Sequence, residues 1–271
     1  MSRIAAVLVA TLFTLPLTGA RAELMLYPPA PHYFSPASVS LEFLTGQFSP
    51  HQHPDFVRLG SQYGNRNDMY LQQAAYEAFK SMYAAAKQDG VRLEIVSATR
   101  HFNAQKAIWE AKWLGKRPTG ELQDAQQALP DPVARARKIL EYSSMPGSSR
   151  HHWGTDMDFN ALNNEWFAKG EGKKVYDWLQ ANAGRFGFCQ PYTSKDSERR
   201  PYGYNEEKWH WSYIPLAGPY TEQAGQQLHN DMIQGFAGAE TASAINIVGH
   251  YVLASIRTAA AQVPERIKTT D

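Results

Sequence analysis

The sequence predicts an α+β protein, a small antiparallel sheet flanked by helices, with a C-terminal helical appendage. Three patterns lead there. Leu71, Ala75, Phe79, Met82 and Ala86 recur at intervals of three and four, the period of a helix with one buried face. Val91, Leu93 and Ile95 alternate with polar neighbours, as do Trp209, Trp211 and Tyr213, the period of a half-buried strand. Beyond Pro219 the chain turns alanine-rich, and Ile245, Val248, Val252 and Ile256 form one apolar stripe, the mark of an amphipathic helix.

The elements follow in chain order. Arg3 provides a positive n-region, Ile4 to Leu17 an apolar run, and Ala20-Arg21-Ala22 the small residues of a cleavage site, so residues 1–22 read as a secretory signal cut after Ala22. The run is too short to cross a bilayer. The expectation is an exported, periplasmic protein with no membrane span in its mature form. Removing Arg3 and Arg21 takes the formal net charge from +1 to −1. With that balance and a pI near 7.9, nothing argues for nucleic acid or an anionic membrane as partner. Cys189 is the one cysteine, so no intrachain disulfide can form, and its thiol reads as buried and inert. At 271 residues, 43% of them hydrophobic, the chain can bury one substantial core.

Residues 23–66, rich in Pro, Ser, Gln and His without sustained period, predict an extended lead-in over the surface. His51-Gln52-His53 lacks an acidic or sulfur partner at ligand spacing and reads as a solvated pair. The main unit is placed at 67–218. Within it, Asp89-Gly90 stops the first helix, and the strand through Ile95 runs to Arg100, where another helix begins with Ile108 and Trp109 inward. Residues 116–129, rich in Pro, Gly, Gln and Asp, read as a loop or a poorly packed insertion. Asp131-Pro132 pairs an N-cap with a proline at the first helical position, and Pro146-Gly147-Ser148 ends that helix. A further helix spans Lys173 to Phe186 and stops at Gly187. Residues 188–213 then give a strand, a polar loop containing Lys195 to Arg200, and a returning strand. Residues 219–271 form the appendage, whose stripe suits either packing on the main unit or a dimer contact, and the oligomeric state stays open.

Several mechanisms are excluded by what is missing. No serine has lysine three positions on, and there is no Gly-x-Ser-x-Gly elbow and no His-Glu-x-x-His helix, which removes the serine-nucleophile and helix-borne zinc templates. Neither a Gly-x-Gly-x-x-Gly turn nor a P-loop seats a nucleotide.

What remains is a split motif, Ser149 to Asp158 answered by Glu207-Lys208-Trp209-His210. It holds two imidazoles, a carboxylate suited to a metal and a second carboxylate beside it, the inventory of a catalytic zinc site with one position left for water. Gly154 permits a tight passage into a strand on which Asp156 and Asp158, two apart, share a face. Parity does not choose between them. On the returning strand His210 faces away from Trp209 and Trp211, toward the site. Glu206 has the parity to join His210 and Glu207 does not, yet Gly203 and Asn205 predict a turn there, where parity lapses.

The strings Ser149-x-His151-x-x-Gly154-x-x-x-Asp158 and Glu207-x-Trp209-His210, preceded by Ser97-x-x-Arg100-x-x-x-x-Gln105, resemble those of the zinc D-alanyl-D-alanine carboxypeptidases of the VanY and VanX kind, the LAS peptidases. The resemblance covers roughly residues 70–215. It implies that His151, Asp158 and His210 bind Zn2+, that Glu207 is the catalytic base, that Arg100 meets the scissile carbonyl or its oxyanion, and that Ser149 and Gln105 line substrate subsites. The chain departs from the family's pattern at Asp156, commonly small or apolar, and at His101, often serine.

The implied activity is removal of the terminal D-Ala from peptidoglycan stem peptides. An L,D-carboxypeptidase or a cross-link endopeptidase of the same group is the nearest alternative. A non-catalytic wall-binding module holding zinc for structure is the alternative from another class, against which Glu207 and Arg100 stand. His152 is not expected as a fourth ligand, since that would close the position the water needs.

Overall fold

A computed structural model describes residues 38–195 and 202–254. The signal segment, most of the lead-in, residues 196–201 of the polar loop and Ile256 of the apolar stripe lie outside the described residues. In chain order the elements are α1 (Leu41–Leu44), β1 (Phe56–Arg58), β2 (Tyr70–Gln72), α2 (Gln73–Gln88), β3 (Ile95–Ser97), α3 (Phe102–Trp113), α4 (Ala125–Ala128), α5 (Pro132–Ile139), β4 (Asp156–Phe159), α6 (Gly170–Asn182), β5 (Phe188–Cys189), β6 (His210–Tyr213), α7 (Ile214–Gln227) and α8 (Ala242–Ile245). No helix among the described residues is long and apolar enough to cross a membrane.

The centre is a four-stranded antiparallel sheet in the order β3-β4-β6-β5. Helix α2 lies against it. Ala75, Phe79, Met82 and Ala86, the residues whose spacing predicts the helix, are all buried, and the Phe79 ring stacks on Phe159 of β4 at 5.6 Å. Fully burying such a side chain contributes on the order of 1.5–3 kcal/mol. The helix ends as expected: Val91 N–H reaches back to Ala86 O at 2.8 Å across Gly90, whose φ of +70° disfavours a side chain. The following strand is shorter than the alternation suggests. Leu93 is buried, but ladder pairing begins only at Ile95, and the register shifts between Ile95 and Ser97.

Three stretches differ from expectation. The described part of the lead-in carries α1, a 3-10 turn at Pro50–Gln52 and β1, which pairs with β2. Phe43, Leu44, Phe56 and Leu59 are buried at spacings that fit neither a helix nor a strand, because the segment folds into an aromatic cluster of its own, Phe43, Phe48, His53 and Phe56, that docks on distant residues. Phe43 meets Tyr220 at 5.0 Å, and Trp153 Nε1 donates to Leu44 O at 3.1 Å. His53 packs edge-on against Phe56, while His51 is exposed and bonds Ser49. Within 116–129, Asp124 caps the short α4 by accepting from Gln127 N at 2.9 Å. At the far end, α7 starts directly after β6 and runs through position 219, so the appendage shares a helix with the main unit. Ile245, Val248 and Val252 are buried within the chain. The segment before them is fastened to α3, where Trp109 Nε1 donates to Ala237 O at 2.8 Å and Ala237 N to Glu110 Oε1 at 3.0 Å.

Candidate metal centre

The site forms where β4 and β6 run side by side below the ends of β3 and a tight turn. The turn, Arg150–Trp153, ends at Gly154 with φ +70°. A Cβ there would stand 2.3 Å from the Phe56 ring, so only glycine lets the chain enter β4 this closely. The ladder pairs Asp158 with His210 and Asp156 with Ser212, and all four therefore project to one face, as the two-residue period requires. Trp209 precedes β6 and escapes that parity. It lines the cleft and its ring lies 6.1 Å from Tyr142.

The predicted ligands come together. One donor atom each from His151, Asp158 and His210 lies within 4.8 Å of the others, and all three residues are buried. His151 Nδ1 is 2.8 Å from Ala98 O, which fixes that nitrogen as the N–H and turns Nε2 toward Asp158 Oδ2 at 3.4 Å. The His210 ring is held from both sides. Its Nε2 lies 2.8 Å from Asp156 Oδ2, and its Nδ1 lies 3.0 Å from Asp158 Oδ1 and 3.6 Å from Glu207 Oε2. The chain turns through Glu207, whose N–H donates to Tyr192 O at 2.9 Å and whose carbonyl accepts from His210 N. That turn sets Glu207 beside His210 and leaves Glu206 outward, its carbonyl accepting from Asn164 Nδ2.

The electrostatics follow from burial among charges. Burial opposes the Asp158 carboxylate, but the adjacent His151 and His210 hold its pKa well below the usual range. Burial likewise opposes ionisation of Asp156, and Arg150 together with His210 and His151 outweighs it. Burial lowers the pKa of His151, with Arg100 adding to the effect, so this imidazole is neutral and able to donate a lone pair. For His210, burial pulls downward but the hydrogen bonds and charges of Asp156 and Asp158 win, raising it to about 9. Glu207 is pushed up to about 8, chiefly by burial. Asp158 Oδ1 is buried and, although His210 Nδ1 stands 3.0 Å away, makes no aligned hydrogen bond among the described residues. Two nitrogens and a carboxylate oxygen converging on one point, with an unsatisfied anionic oxygen among them, fit a divalent zinc-like cation.

Of the remaining predicted residues, Arg100 and Gln105 line the same cleft, whereas Ser149 is buried beside His151 and does not line it. Arg100 Nη1 is anchored on Ser97 Oγ at 2.8 Å and stands 3.8 Å from Asp158 Oδ2, while its Nε has no partner. Burial lowers its pKa and Asp158 opposes the shift. Gln105 donates from Nε2 to Ser144 O at 2.8 Å, which leaves its buried Oε1 unpartnered, as is the buried Ser149 Oγ. His152 is no ligand. Its ring accepts from Gly147 N at 3.0 Å and meets Arg100 O at 2.5 Å, bracing the backbone that carries Arg100, and burial drives its pKa down to about 3. His101 caps α3, accepting from Ala104 N.

The cleft in front, about 520 Å³, also exposes Lys112 and Trp209, neither of which sequence reasoning assigned to the site. The Lys112 ammonium bonds Ser143 Oγ at 2.7 Å, and burial lowers its pKa to about 8. Gln105, Ile108 and Lys112 fall three and four apart, so one helix face carries all three. That spacing was a usable signal. Arg150 and Ser212 were also missed, and nothing local marks them.

Comparison with known proteins agrees with the geometry. Residues 68–216 match the family model described as VanY, D-alanyl-D-alanine carboxypeptidase. The YodJ protein of Bacillus subtilis is 30% identical over 151 residues, covering 54% of this chain. A D-alanyl-D-alanine carboxypeptidase of Enterococcus faecalis is 28% identical over 138 residues, covering 51%. Each alignment spans 46% of the relative's own length, so the chain matches about half of either. Among solved structures, the LdcB LD-carboxypeptidase is similar over 67% of this chain and 76% of its own, with 23% identity and a TM-score of 0.47.

Proposed function

Because the chain belongs to the VanY family of D-alanyl-D-alanine carboxypeptidases, we propose that it is an exported zinc carboxypeptidase that removes the terminal D-alanine from peptidoglycan stem peptides. The observation that carries this reading is the convergence of His151, Asp158 and His210 within 4.8 Å, with the Glu207 carboxylate 3.6 Å from one donor nitrogen. His151, Asp158 and His210 would hold the ion, His151 through Nε2, since its Nδ1 is engaged by Ala98 O. Bound there, a divalent ion supplies Lewis acidity and lowers the pKa of a water to about 7.

The chain's own groups do the rest. Glu207, raised by burial, takes a proton from the attacking water and passes it to the leaving amine. Arg100 keeps its charge and presents its unpartnered Nε to the carbonyl oxygen as negative charge gathers there. Gln105 Oε1, buried and unpartnered, offers a hydrogen bond to the peptide near the scissile bond. Arg100→Ala is expected to lower kcat by about 10²–10³-fold, the usual cost of one oxyanion stabiliser, with metal content unchanged. Equal kcat in steady-state assays would remove Arg100 from this role.

The test is direct. Purified protein, incubated with a pentapeptide ending in D-Ala-D-Ala, should release free D-alanine and shorten the peptide by one residue, and a chelator should stop it. Mass spectrometry of the products separates this outcome from the alternatives. Cleavage only of tetrapeptides would mark an L,D-carboxypeptidase, and opening of cross-linked dimers an endopeptidase. A preparation that binds muropeptides and never cleaves them would overturn the reading.

A further inference from the structure

We infer that Asp156 is a positioning residue that fixes His210 with Nδ1 as its metal-facing atom. The inference rests on the metal-site reading above. It starts from an ambiguity in the His210 ring, which has a carboxylate at each nitrogen: Asp156 at Nε2, 2.8 Å away, and Asp158 at Nδ1, 3.0 Å away. A neutral imidazole carries one N–H. If the proton sat on Nδ1, facing Asp158, the nitrogen that must donate to a metal would have no lone pair to give. A proton held on Nε2 by Asp156 leaves Nδ1 free.

Asp156 is itself held too firmly to give way. Its Oδ2 accepts from Arg150 Nε at 2.9 Å as well as from His210, and its Oδ1 accepts from Thr155 Oγ1 and Ser212 Oγ, both at 2.7 Å. Arg150 is in turn locked by Thr221 Oγ1 of α7 at 3.0 Å and by Ser212 Oγ at 2.6 Å, and its guanidinium lies over the Trp153 ring. Both members of the pair are essentially inaccessible, at 1% and 0% side-chain exposure. The acceptor for Nε2–H is thus a rigid anion whose charge is balanced locally. A carboxylate behind a metal-bound histidine orients the ring and makes it a better ligand.

Three variants separate positioning from a merely structural role. Asp156→Asn preserves volume, Asp156→Ala removes the acceptor, and the double variant R150M/D156A removes both buried charges, so that no lone ion is left to unfold the protein. Zinc affinity is read by competition with a chromophoric chelator, folding by the thermal midpoint, and ligand geometry by the visible spectrum of the cobalt-substituted protein. The expectation is zinc binding about 10-fold weaker in D156N and up to about 100-fold weaker in D156A. The double variant should recover its thermal midpoint relative to D156A, yet keep the weakened zinc affinity and an altered cobalt spectrum. If the double variant bound zinc as tightly as the parent protein, Asp156 would be structural only and the inference would fail. Failure of the parent protein to bind zinc at all would instead overturn the metal-site reading.

Discussion

Glu207→Gln is expected to cut D-alanine release by about 10²–10⁴-fold, the range over which a positioned general base acts, without loss of bound metal. Glu207 is not among the three converging donors, and the substitution removes a proton acceptor at almost constant volume. Its pH dependence is also set by the structure. Burial raises the carboxyl to about 8, and a divalent ion alongside favours the ionised form and draws it back down. The base form is present above the shifted pKa and lost as pH falls through it. The acidic limb of kcat/KM should therefore fall between the ordinary 4.5 and about 8, and residual activity of the Gln variant should lack that limb. Undiminished turnover by the variant would show that another group takes the proton.

Removing the metal is expected to abolish activity and to destabilise the fold, and added zinc should restore both. Asp158 is buried between two imidazoles, so the cation takes over an anionic group that the metal-free chain offsets only by holding a proton on His210. An ion present at 100 times its dissociation constant stabilises by about 2.7 kcal/mol, roughly 5–10 °C in the thermal midpoint for a chain of this size. Uptake should also depend on pH. His210, at about 9 without a cation, carries a proton below that value which a metal must displace, so affinity rises with pH up to about 9. Calorimetry in buffers of different ionisation enthalpy reads the released proton. A thermal midpoint indifferent to chelator would argue against a metal at this centre.

Much of the fold could be read from local patterns because those patterns are enforced locally. The period of Ala75, Phe79, Met82 and Ala86 is the geometry of one helix face, and the caps at Asp131 and Gly90 are contacts within a few residues of themselves. The segment around Phe43 and Phe56 was not legible in this way. Phe43 packs on Tyr220 and Leu44 O accepts from Trp153, each more than 90 positions away in the chain, so the burial of this segment follows no common period. Composition changes beyond Pro219, whereas β6 passes into α7 at Tyr213 and Ile214 without a linker, so the change falls inside a helix already under way.

Strand periodicity alone determined that Asp156 and Asp158 share one face and that His210 projects away from Trp209 and Trp211, since residues two apart must project together. Only the tertiary structure decided what each does there. The β4–β6 register inserts the His210 ring between the two carboxylates, His151 approaches Asp158 from the turn, and Arg150 with Ser212 and Thr221 claims Asp156. Those assignments depend on which distant groups arrive at each oxygen, and such arrivals are properties of packing that no spacing along the chain encodes.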